Sequence, residues 1–112
     1  MISSLDDAIP FFNKWKADET LLDVMFSGAL GLEFRVSARV SPRSDSKVLE
    51  LVNPDSVFIL RLSLSGRKFK YVDPVEAVPA ERAELEAGGL VCCWEIELSP
   101  RDSLGICEVR RD

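Results

Sequence analysis

From residue 21 onward, apolar and polar residues alternate along the chain. Leu22, Val24, Phe26 and Leu30 interleave with Asp23, Met25, Ser27 and Ala29. Leu32, Phe34, Val36, Ala38 and Val40 then point one way, and Glu33, Arg35, Ser37, Arg39 and Ser41 the other. A period of two is the mark of a strand with one buried and one wet face. Gly31 between the runs suits a tight turn or a bulge.

The rhythm continues after a polar loop at 42–47. Val48 to Val52 reads as a short strand, and Asn53-Pro54-Asp55 as a turn. Ser56 to Leu64 reads as a strand with Phe58, Leu60, Leu62 and Leu64 inward and Val57 and Ile59 on its other face. Ser65-Gly66 turns the chain into a strand over 68–72, which predicts a meander of three consecutive hairpins. Leu90, Cys92, Trp94, Ile96 and Leu98 form another alternating strand, a loop follows over 99–103, and a last strand runs from Leu104 to Val109. The register of this last hairpin has two solutions. Leu98 opposite Leu104 turns Ile106 inward, and a slip by one exposes it. The first buries more aliphatic surface and is preferred. In it, Cys93 and Cys107 share a face but lie diagonally.

Two segments break the period. Leu5, Ala8, Ile9, Phe12 and Trp15 recur at helical spacing, so a helix is expected over Leu5 to Ala17, with Ser4 and Asp7 as its capping pair. Pro10 moves its start towards Asp7 or bends it. Pro79 to Ala87, rich in Ala and Glu and closed by Gly88-Gly89, predicts a short surface helix. The fold class expected is α+β. The N-terminal helix packs on a strongly curved, mainly antiparallel sheet of six to seven strands, a small half-open barrel, with a helical crossover near 79–87.

At 112 residues, 46% apolar and 29% charged, the chain fits a single domain over 1–112. A net charge of −5 opposes nonspecific binding to nucleic acid or anionic lipid. No apolar run reaches membrane-spanning length and no secretory leader is evident. Three cysteines (Cys92, Cys93, Cys107) leave an odd thiol, which fits a reducing, cytoplasmic setting and small buried hydrophobes better than a disulfide scaffold.

Histidine is absent, which removes Ser-His and Cys-His nucleophiles and the commonest zinc ligand. No metal or cofactor motif is present. Asp6 and Asp7 suit the helix start. Glu95 and Glu97 sit two apart on one strand face, the position a carboxylate-dependent enzyme would use, or simply a wet face. Arg67-Lys68-Phe69-Lys70-Tyr71 mixes cations and rings, but alternation puts the rings in the core. Arg35, Arg39 and Arg43 lie on or just past one strand and could together hold a small anion such as a nucleotide.

Arg35-Val36-Ser37-Ala38-Arg39 resembles the Arg-x-x-x-Arg of PilZ domains, small barrels that bind cyclic di-GMP. Arg61-Leu62-Ser63-Leu64-Ser65-Gly66 is similar to their second motif, with Arg61 where that family carries Asp or Asn. The resemblance implies nucleotide binding at Arg35 and Arg39. The residues themselves, lacking catalytic signatures and carrying extra apolar groups at Val57, Ile59, Val91 and Ile106, point first to a noncatalytic module that binds a protein partner or a second copy.

Overall fold

The computed structural model describes residues 2–55, 58–75 and 79–110. Among them the chain runs β1 (Ile2–Ser3), α1 (Leu5–Ala17), β2 (Leu22–Ser27), a tight turn over Ala29–Gly31, β3 (Glu33–Val40), β4 (Val48–Val52), β5 (Phe58–Ser63), β6 (Phe69–Val72), α2 (Pro79–Ala87), β7 (Leu90–Ser99) and β8 (Asp102–Val109). Every strand pairing is antiparallel, in the order β1-β6-β7-β8-β2-β3-β4-β5. Apart from the two-residue β1, seven strands make a strongly curled half-barrel against α1, the α+β architecture that the alternation predicts.

The order departs from the expected meander. β5 and β6 follow each other in sequence but stand near opposite ends of the sheet. Only five residues separate Ser63 from Phe69, so the sheet must curl until its two lips approach there. Arg67 ties that seam. Its guanidinium donates to the Ser63 carbonyl at 2.7 Å and to the Leu98 carbonyl of β7 at 3.1 Å. Gly66 turns the chain at a φ of +74° that favours glycine.

α1 begins at Leu5, as its spacing predicts. The Asp7 carboxylate accepts the Ser4 amide at 3.0 Å and its hydroxyl at 3.1 Å. Pro10 lies inside the helix, which runs on through it. Ala8, Phe12 and Trp15 are buried on the concave side against Leu22, Val24, Ala38, Leu49, Leu51, Trp94, Ile96 and Ile106. Phe11 adds an edge-on contact to Trp94 at 5.4 Å. Packing of this apolar face supplies most of the helix's stability, since an isolated helix this short is marginal.

The last hairpin corrects the preferred register by two residues. Ile96 faces Leu104, Trp94 faces Ile106, and Cys93 stands directly opposite Cys107. Ile106 is turned inward as expected and is fully buried, so it leaves the set of exposed apolar residues. The cause lies in the turn, which is two residues long rather than five. The Ser99 hydroxyl donates to the Asp102 carboxylate at 2.7 Å and accepts the Arg101 amide at 3.3 Å, and the ladder closes at Ser99–Asp102.

Cys93 and Cys107 form a disulfide, with Cα atoms 4.1 Å apart. This overturns the reading of all three cysteines as free hydrophobes and weakens the inference of a reducing setting drawn from them. Only Cys92 remains a free thiol. α2 forms as expected, with no buried residue, and is tied to the loop that follows β6 by Arg82, which donates to the Pro74 and Val75 carbonyls at 2.8 and 2.9 Å. Among the described residues no helix is long and apolar enough to cross a membrane.

The β2–β3 hairpin also departs from the alternation. The alternation predicts Leu30, Leu32 and Phe34 inward with Val36 and Val40. They are instead 104%, 63% and 54% exposed, while Val36 is partly covered and Ala38 and Val40 are buried. The parity of the strand is right, but its tip overhangs the barrel beyond the reach of α1.

Candidate functional site

The three arginines fall on different environments. Arg35 lies on the outer face of β3, where a guanidinium nitrogen donates to Met25 Sδ at 2.9 Å. Arg39 shares that face two pairs further along, and its Nε is buried with no hydrogen-bond partner. Arg43 is exposed in the following loop. The groove of about 310 Å³ that Arg35 lines, between α2 and the outer face, takes in neither of the others. The stretch resembling the PilZ motif lies inside β3.

Glu95 and Glu97 lie on the outer face in an open groove of about 410 Å³. Lys70 stands opposite Glu95, and Glu97 donates its amide to the Lys68 carbonyl at 3.0 Å. Opposite charges facing across neighbouring strands account for this pair as ordinary sheet stabilisation. Phe69 is buried and Tyr71 packs against Trp94 at 5.2 Å, so the mixed basic and aromatic stretch has its rings in the core as expected. Val91 is exposed, whereas Val57 and the Ile59 side chain lie outside the described residues.

Two covered carboxylates have structural partners. Glu108 points inward on β8 and accepts the Trp15 indole N–H at 2.7 Å. The free thiol of Cys92 is pushed up to about 12, first by burial and then by the charges of Glu108 and Asp73. Such a thiol stays protonated and is a poor nucleophile. Glu50 is buried on β4, its backbone held by the Ser44 hydroxyl at 2.9 and 3.0 Å and its carboxylate 3.8 Å from exposed Arg61.

The overhanging hairpin is different, because nothing among the described residues covers the outer edge of its β3 arm. β3 pairs with β2 along Glu33–Ala38, but with β4 only at Arg39 and Val40. Its other edge is therefore open over 33–38 among the described residues. Backbone direction follows from two bonds. Ser41 donates its amide to Glu50 of β4 at 2.8 Å, and Gly28 donates to the Leu32 carbonyl at 2.7 Å. Strand residues alternate in direction, so odd positions face the β4 side and even positions face β2. The amides and carbonyls of Glu33, Arg35 and Ser37 thus point along the open edge.

Apolar side chains flank that edge. Phe34 stacks on Phe26 with centroids 5.2 Å apart, and a shallow groove of about 360 Å³ runs over Met25, Phe26, Ser27, Glu33, Phe34 and Arg35. The tip is anchored through Asp102, whose carboxylate accepts the Ala29 amide at 3.0 Å. Bonds from Ser99 and then Ala29 hold that carboxyl below its ordinary range. Sequence reasoning missed this edge. Its signal was the cluster of Leu30, Leu32 and Phe34 around a turn, where polar residues are usual.

Leu30 is the oddest member, fully exposed and held at a φ of +65°. The left-handed conformation costs an L-residue about 1–2 kcal/mol, partly offset on replacement by the greater unfolded-state entropy of glycine. Leu30→Gly is therefore expected to stabilise the isolated chain by about 0.5–1 kcal/mol in urea unfolding. A loss of stability would mean that Leu30 packs against something within its own chain.

No family model, no curated protein and no solved structure matches this chain.

Proposed function

We propose that this chain is a noncatalytic interaction module that takes a further β-strand onto the open edge of β3. The observation that carries the reading is the row of backbone groups at Glu33, Arg35 and Ser37 that pair with no strand among the described residues, bordered by exposed Leu32 and Phe34. Soluble proteins usually blunt such an edge with lysine, proline or a bulge, because it pairs readily with another strand. Here the only charges alternate in sign on one face, and the other face is apolar. Strand addition gains main-chain hydrogen bonds from the edge and selectivity from alternate side chains.

Ser37→Pro tests it. Proline removes an outward N–H and places a ring in the path of an incoming strand, and the edge position spares the β2–β3 ladder. The probe is a capped ten-residue peptide alternating valine with threonine and lysine, at millimolar concentration. In the parent protein, kept dilute enough to be monomeric, it should slow hydrogen exchange at the amides of Glu33, Arg35 and Ser37, and in Ser37→Pro the remaining two should show no slowing. Unchanged exchange at these amides in the parent would end the proposal.

A further inference from the structure

The strand that this edge accepts is, we infer, β3 of a second copy, in an antiparallel twofold arrangement centred on Phe34. The inference rests on the strand-addition reading above and names its occupant. Three features of the edge select both the partner and the register.

The first is backbone parity. Two copies exchange hydrogen bonds only between outward residues, which are Glu33, Arg35 and Ser37. Centring on Phe34 sets Glu33 opposite Arg35 of the second copy, and Arg35 opposite its Glu33, with both amides and carbonyls of each pair engaged. A twofold contact is self-complementary by nature, so one satisfied pair guarantees the other.

The second is charge. The same register places opposite charges face to face twice on the outer side. Centring on Arg35 would set that arginine against itself, and centring on Ser37 would oppose Arg35 to Arg39. Like charges directly opposite are destabilising, so the chain's own pattern discriminates against these slips. Centring on Val36 pairs Glu33 with Arg39, whose outward groups β4 already occupies.

The third is apolar surface and length. On the inner side Phe34 meets its counterpart and Leu32 faces Val36. Each Phe34 already stacks on Phe26, so the contact joins four rings in one cluster. The open edge ends at Ala38, where β4 takes over at Arg39. In this register the residue opposite Ala38 is Leu30 of the second copy, which belongs to the turn. The second hairpin therefore ends where the vacancy ends.

Sedimentation velocity across a concentration series on the parent chain, Glu33→Arg and Arg35→Glu decides the matter. The parent is expected to dimerise reversibly. Each single variant places four like charges across the contact and should weaken the dimer at least tenfold while keeping its circular dichroism and, in solution dilute enough that the parent is monomeric, its unfolding midpoint. An equimolar mixture of the two variants should recover the parent affinity, because all cross-strand pairs become opposite again. A parent chain that stays monomeric at millimolar concentration overturns the inference, as does a dimer indifferent to either variant or a mixture that stays apart. A monomeric parent whose edge amides are still protected by the strand peptide would sink the second copy as occupant and leave the strand-addition reading standing.

Discussion

Trp15→Ala is expected to lower the unfolding free energy by about 4 kcal/mol. Trp15 is only 1% exposed, among the largest fully buried side chains, and sits where α1 plugs the curled sheet. Truncating a buried tryptophan costs about 3–5 kcal/mol, because the lost transfer energy is joined by the cavity left behind. A second loss adds to it. The indole N–H is the donor that satisfies Glu108, a carboxylate on the inward face of β8. An acceptor left without a partner costs a further share of its desolvation penalty. For a domain whose total stability is about 5–15 kcal/mol, the variant approaches the limit of folding.

Trp15→Phe separates the two contributions. It keeps most of the ring volume and removes the N–H, so it should cost about 1–3 kcal/mol. Glu108→Leu in the Trp15→Phe background should then recover part of that loss, since the orphaned acceptor is gone. Urea unfolding with matched slopes reads all three. A Trp15→Ala chain within 1 kcal/mol of the parent would show that α1 is not a working part of the core.

Alternation made the strands legible, and one helical period made α1 legible, because each records which side of an element meets the core. Neither records how far the core extends. Phe34 and Val36 have the same parity, yet only Val36 packs against the interior, since α1 covers the middle of β3 and not its tip. The open edge arises from that mismatch of lengths, and length mismatch is a property of the assembled sheet. The two-residue correction at the C-terminal hairpin has a related cause. Parity fixed Ile106 inward, but the choice among registers of equal parity falls to the turn, where one hydroxyl–carboxylate bond between Ser99 and Asp102 shortens the loop. The placement of β5 and β6 near opposite ends was not legible either. A short polar connection reads as a hairpin, whereas here it crosses the seam of a half-barrel. The site-bearing residues fared in the same way. Arg35, Arg39 and Arg43 are regularly spaced in sequence, but β3 and its loop distribute them between an exposed face, a partly covered position and a turn.

Reduction of the Cys93–Cys107 bond is the second large effect, and the same register shift creates it. Direct opposition across β7 and β8 brings the sulfurs together where a diagonal placement would not. The two residues are 14 apart in sequence, and closing a loop of that size removes about 3 kcal/mol of conformational freedom from the unfolded chain. Urea unfolding of the Cys93→Ala/Cys107→Ala chain should therefore show a stability about 3 kcal/mol below that of the oxidised parent. The bonding state has its own measurement. Denatured in acid without reductant and then titrated, the parent should show one thiol, and after reduction three. Acid is needed because Cys92 is protected only while folded. Its thiol, pushed up to about 12 in the native interior, falls back to about 8.5 on unfolding and would then attack the adjacent disulfide. Three thiols without reductant, or an unchanged stability in the double alanine variant, would return these cysteines to the role of packing residues under α2.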